Sequence, residues 1–211
     1  MHTRPASGIV RIDDVDAVPW RNGGGVTREL LAWPDSRDWL LRVSVAEIAA
    51  SGPFSAFPGV DRWFAVLAGD GVRLETAGQP ALEFTPADHA LHEFPGDVPT
   101  QCTLLGAATR DLNLMARRAQ LRLRSRPLRD LPLLSTSAVC AGLFVAEPAV
   151  LTAIGITANA GDAPIELAAM SLAWWANPQR RALSLQASPA TARGWWFEAE
   201  PAGPQAPDVR R

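Results

Sequence analysis

An all-β sandwich or barrel is the fold that this 211-residue sequence predicts, and three observations carry the prediction. The 18 prolines and 16 glycines are scattered throughout the chain, which works against long helices. Between them lie short segments in which apolar and polar residues alternate with a period of two. Turn signals separate those segments at close spacing, as they do in sandwiches and barrels. At 22.6 kDa and 47% apolar, the chain can bury a core as one large domain or two small ones.

Taken in order, the first feature is the run WRNGGGVTRE at residues 20–29. It lacks the lysine of a phosphate-cradling loop and the spacing of a dinucleotide fingerprint, so it predicts a tight turn or bulge between two strands. In residues 39–48, Leu41, Val43 and Val45 face one way and Arg42, Ser44 and Ala46 the other. Residues 46–51 allow one short helical turn. Residues 62–75 give a hairpin signal, with an apolar strand to Leu67, a turn at Gly69-Asp70-Gly71 and a return through Val72. Arg62 shares its face with Phe64 and Val66. Asp111, Asn113 and Met115 share a face opposite Leu112 and Leu114. Residues 116–132 are the expected connection between two halves. Strands are expected at 121–124, 164–175 and 182–187, with a second helical turn at 143–151.

Composition and spacing exclude several chemistries. All 20 basic residues are arginine and there is no tyrosine, which removes lysine nucleophiles, Schiff bases and tyrosine acids. Cys102 and Cys140 form no CxxC pair and lie in apolar, strand-like surroundings, as core cysteines do. No serine sits in a nucleophile elbow. Of the three histidines, His89 and His92 point to opposite faces of a strand and no further ligands stand at metal spacing, so no metal and no cofactor are expected. The six arginines of residues 117–129 alternate with Leu121 and Leu123, which predicts one wet strand face. Without interleaved aromatics, and with a net charge of -2, neither nucleic acid nor a membrane is an expected partner. Residues 1–10 lack the apolar core of a signal peptide and no apolar run reaches membrane-spanning length, so the expected location is the cytoplasm.

What remains is a set of polar residues on otherwise apolar strands. A buried arginine must meet a carboxylate, either the protein's own or a ligand's. Arg42 and Arg62 therefore leave two readings open: internal salt bridges to Glu29 or Asp111, or an anion site in which guanidinium forks grip carboxylate oxygens.

Together, WRNGGGVTRE at 20–29, LRVSVAEIAASGPFSAFPGVDRWFAVLAGDGVRL at 41–74 and FPGDVPTQCTLLGAATRDLNLMARR at 94–118 resemble the HutD/Ves family of small bicupins. The resemblance implies two cupin-like barrels in one compact unit, residues 1–118 and then a degenerate half at 119–200, and the proline- and alanine-rich composition of 201–211 predicts a frayed tail. It implies association with bacterial histidine utilisation as a modulator rather than a catalyst, with an N-formylglutamate-like acid as ligand. The Ves branch is instead linked to cold and stress response.

The first expectation is thus a metal-free protein that binds a small carboxylate. Arg42 and Arg62 would contact the anion. Ser44, Asn113 and Trp20 would add hydrogen bonds and shape, Glu29 and Asp111 would hold the arginines, and Trp20, Asn22, Thr27 and Glu29 would line or brace the mouth. The second is an isomerase- or hydrolase-type enzyme with Glu29 or Asp111 as general base, although nearby arginines should depress such a carboxyl's pKa. The third is an interaction protein, forming a homodimer through Trp174-Trp175 and Trp195-Trp196.

Overall fold

The chain is seen in a computed structural model that describes residues 7–131, 133–154, 163–177, 179 and 182–203. Two large sheets lie back to back, and each is paired with a smaller sheet to enclose an interior. The first large sheet contains β2 (Val18–Pro19), β3 (Gly25–Trp33), β4 (Leu41–Ile48), β6 (Val60–Ala68), β9 (His92–Pro95) and β11 (Thr109–Arg117), ordered β2-β3-β4-β11-β6-β9. Its smaller partner contains β5 (Gly52–Pro53), β7 (Val72–Thr76), β8 (Leu82–Phe84) and β10 (Thr100–Leu104), ordered β5-β10-β7-β8. The second large sheet contains β1 (Ser7–Arg11), β12 (Leu121–Pro127), β14 (Cys140–Val145), β17 (Ser171–Ala176) and β19 (Gly194–Pro201), ordered β1-β17-β14-β19-β12. Its partner contains β13 (Leu134–Thr136), β15 (Ala149–Ala153), β16 (Ile165–Leu167) and β18 (Leu183–Ser188), ordered β13-β18-β15-β16. No described helix is long and apolar enough to cross a membrane.

The alternation of the strands is explained by three cores. Leu41, Val43 and Val45 of β4, Trp63 and Ala65 of β6 and Leu112 and Leu114 of β11 pack against Phe144, Leu172, Trp195 and Phe197, so the backs of the large sheets make one apolar seam. The opposite face of the first large sheet closes on Val72, Leu74 and Cys102 of the smaller sheet. The second interior is filled by apolar side chains such as Leu143, Leu151, Leu185 and Trp196. Both faces of each large sheet are therefore buried. That is why apolar residues occur on both, and why the polar residues of β4, β6 and β11 stand out. Contacts also cross between the halves: the Arg193 Nη1 donates to the Leu67 carbonyl at 2.9 Å, and the Trp195 Nε1 to that of His89 at 2.7 Å.

Several expectations are corrected. The segments around Gly69-Asp70-Gly71 do not form a hairpin: β6 pairs with β9 and β11, while β7 pairs with β8 and β10. Gly69 and Gly71, at φ of 94° and 99°, instead bend the chain through the corner from one sheet to the other. Asp70 secures that corner by accepting from the Ala107 N–H at 2.7 Å. Neither expected helical turn exists, since residues 46–48 end β4 and 143–151 are divided between β14 and β15. The segment 116–132 is not mere connection, because β12 lies within it and pairs with β19. Its Arg122, Arg124 and Arg126 are exposed and its leucines buried. The 164–175 segment is two strands. The N-terminal strand departs from the division at residue 118, since β1 pairs with β17 of the second large sheet. Pro201 closes β19, and residues 204–211 lie outside the described residues. Of the tryptophan pairs, Trp174 and Trp195 are buried in the seam and Trp196 in the second interior, while Trp175 is half-buried against that interior, as alternation on a strand requires.

Candidate functional site: a barrel cavity around a buried guanidinium

Cross-strand register sets the interior face of the first large sheet. Glu29, Ser44, Asn113 and Phe64 form one row, Arg42, Met115 and Arg62 the next, and Thr27, Ala46, Asp111 and Val66 a third. A bulge in β3 makes this possible. Glu29 pairs with Ser44 but Leu31 with Val43, so Leu30 is an extra residue. Strict alternation would put Leu31 on the same face as Glu29; the bulge sends both leucines into the seam and leaves Thr27 and Glu29 facing inward.

These rows line a cavity of about 580 Å³, and all nine residues singled out from the sequence lie on it: Trp20, Asn22, Thr27, Glu29, Arg42, Ser44, Arg62, Asp111 and Asn113. Its rim is made by residues 18–22 on one side and 53–57 on the other. The glycine run shapes the first rim. A Cβ on Gly25 would collide with the Glu47 carbonyl oxygen and come within 3.1 Å of the Trp20 ring, so only glycine lets that ring settle there. The Trp20 Nε1 donates to Thr27 Oγ1 at 2.7 Å, and Asn22 Oδ1 accepts from the Gly24 N–H at 3.0 Å. Trp20, Thr27 and Asn22 thus brace the rim, the first two bonded to each other and Asn22 to the backbone of Gly24.

The two arginines differ. The Arg42 Nε donates to Glu29 Oε2 at 2.7 Å, which is the internal salt bridge. Arg62 is 5% exposed and has no carboxylate partner in an ion pair among the described residues. Its Nη2 donates to Asn113 Oδ1 at 2.8 Å, and its buried Nε has no partner. The guanidinium is surrounded by the rings of Phe54, Phe94 and Phe57, at 4.8, 5.0 and 5.7 Å. Burial lowers its pKa to about 10, opposed by Asp111 and reinforced by Arg42.

Asp111 is connected to Arg62 through an amide. The Asn113 Nδ2 donates to Asp111 Oδ2, while Asp111 Oδ1 is buried without a partner. Arg62 does depress this carboxyl, as expected, but burial outweighs it and pushes the carboxyl up to about 8. Glu29 thus holds its arginine directly, whereas Asp111 acts on Arg62 through Asn113.

Phe54, Phe57 and Phe94 were not singled out from the sequence, and Met115 was placed on the face of Asp111 and Asn113 without a role in the site. Phe54 and Phe57 do lie in the quoted SGPFSAF stretch, which was their available signal. Elsewhere, the His92 ring sits 4.7 Å from that of Phe84 and 5.6 Å from that of Phe94. Among the described residues no group of three or more metal-ligating side chains comes together.

Comparison with known proteins agrees with this architecture. An uncharacterized 21.2 kDa protein from the region 3' of hutC in Pseudomonas putida is 38% identical over 143 residues, covering 66% of this chain and 73% of that one. Protein Ves of Citrobacter koseri is 42% identical over 109 residues, 51% of this chain and 56% of Ves, so the match spans little more than half of that relative. Among solved structures, HutD from Pseudomonas fluorescens SBW25 in a formate condition superposes with a TM-score of 0.79 at 24% identity, covering 94% of this chain and 100% of that one. A variant of oxalate decarboxylase from Bacillus subtilis reaches a TM-score of 0.57 at 8% identity over 94% of this chain and 78% of the other, a likeness of fold alone that agrees with two cupin-like barrels. The HutD family model matches residues 12–192, and the chain belongs to the HutD family.

Proposed function

We propose that this protein binds a small carboxylate, of the N-formylglutamate type, in the first barrel, and acts as a metabolite sensor or regulator in histidine utilisation. One observation carries the reading: Arg62 is a buried guanidinium without a carboxylate partner, on the wall of a cavity of about 580 Å³. An unpaired buried cation is costly, and a ligand anion is the partner that would relieve it. Arg42 lies two strands away with β11 between, so the backbones of the two arginines are about 10 Å apart. With Nε given to Glu29, its terminal N–H groups are left for a second carboxylate. Phe54, Phe57 and Met115 supply the apolar wall for the chain between the carboxylates. The relative in the hutC region supports the link to histidine utilisation.

A melting series tests the reading. N-formylglutamate at about a hundred times its Kd should stabilise the fold by roughly 2.7 kcal/mol, or 5–10 °C, and histidine, with its α-ammonium, by less. A flat series across formylglutamate, glutamate and urocanate would refute it. One observation favours a second reading, an enzyme using Asp111 as general base: its Oδ1 is buried on the cavity wall without a protein partner, and burial raises the carboxyl toward the neutral range. Turnover of a bound acid, lost in Asp111→Asn, would establish that reading. Glu29 is the weaker base candidate because it is committed to Arg42.

A further inference from the structure

Building on the carboxylate reading, we infer that the site binds its acid only with Asp111 protonated, so that the ligand's carboxylate is the one counter-ion of Arg62 and, wherever Asp111 is ionised beforehand, a proton enters with the acid. Arg62 and Asp111 are linked through both ends of the Asn113 side chain. Asp111 is 1% exposed, and its free oxygen has neither protein partner nor exposure to bulk solvent. The groups that face this carboxyl are few. Arg62 comes from β6; Arg42 from β4 is already paired with Glu29 of β3; the Cys102 thiol of β10, pushed by burial up to about 12, stays neutral; and Asn113 is the polar neighbour on its own strand.

One cation, Arg62, therefore serves the Asp111 end of this pocket. A ligand carboxylate beside Arg62 leaves two buried anions sharing one guanidinium, and the second anion is uncompensated. The ligand can reach water along the cavity and be exchanged, but Asp111 is fixed, so its charge is removed by protonation at a carboxyl oxygen. Because burial pushes this carboxyl up to about 8, the proton is already present at neutral pH and must be captured above it. The device makes affinity fall with alkalinity without any residue leaving the site.

The test is calorimetric titration with N-formylglutamate, whose carboxyls are both ionised throughout the range, at pH 8.5 in phosphate and in Tris. With the carboxyl at about 8, proton capture at pH 8.5 predicts binding enthalpies that differ by about three-quarters of the difference between the two buffers' ionisation enthalpies, and a Kd that rises about tenfold from pH 7 to pH 9. Asp111→Asn should bind with neither dependence. Equal enthalpies in the two buffers with a Kd independent of pH would overturn the inference while leaving the carboxylate reading intact. The wild-type buffer comparison decides this even if Asp111→Asn fails to fold. Absence of binding at every pH, with a native melting curve, would remove the carboxylate reading and this inference with it.

Discussion

Replacing Arg62 by methionine separates a residue kept for a ligand from one kept for the fold. The substitution preserves length and apolar packing against Phe54 and Phe94 and removes the charge. In the unliganded protein, burial lowers the guanidinium from 12.5 to about 10, and at ~1.4 kcal/mol per unit its charge costs on the order of 3 kcal/mol. Against this, methionine gives up the hydrogen bond to Asn113, worth about 1.5 kcal/mol, and the ring contacts, worth about 0.5–1 kcal/mol. The balance places unliganded Arg62→Met between unchanged and about 2 kcal/mol more stable, a rise in Tm of up to several degrees for a chain of this size. An arginine broken out of a buried structural salt bridge would instead lose about 3–5 kcal/mol. Urea denaturation at pH 7, followed by circular dichroism, reads the difference. A loss of 3 kcal/mol or more would refute the argument that Arg62 lacks an internal partner.

Three other outcomes follow from the same geometry. The Asp111 carboxyl is raised from 3.8 to about 8, so between those values the folded chain holds a proton that the unfolded chain has released. Stability from this group is greatest below pH 4 and falls by up to ~1.4 kcal/mol per unit until pH 8; Asp111→Asn should remove that slope, and matching urea profiles at pH 5 and pH 8 would contradict a buried neutral acid. The Arg42–Glu29 pair, with side chains 23% and 36% exposed, should show a coupling of about 1 kcal/mol in a double-mutant cycle, and a coupling near zero would mean that it does not set Arg42 in place. Gly25→Ala drives a Cβ into the Glu47 carbonyl and should cost about 2 kcal/mol by thermal melt; a neutral result would show that the rim yields freely.

Much of the site was legible in the sequence because alternation is a local property. Arg42 beside Leu41 and Val43, or Asn113 between Leu112 and Leu114, marks a polar residue on a strand whose other face is apolar, and the structure places those residues on one cavity wall. Pairing is not local. Nothing in the period of residues 62–75 says that β6 and β7 belong to different sheets, or that β1 crosses to β17. The apolar run at 143–151 satisfies a short helix as well as two buried strands, and only its neighbours decide. Phe54 and Phe57 were hidden for the same reason, since their relation to Arg62 depends on the closure of the barrel. The Asp111 charge was misjudged because sequence shows the nearby arginines but not the burial that outweighs them.

The most direct test of the central claim is calorimetric titration of the wild-type protein and of Arg62→Met with N-formylglutamate at pH 7. The account predicts saturable binding at one ligand per chain for the wild type, and affinity at least about a hundredfold weaker for a variant that melts no lower than wild type. Equal affinity in the two proteins, or no heat from the wild type, would contradict it.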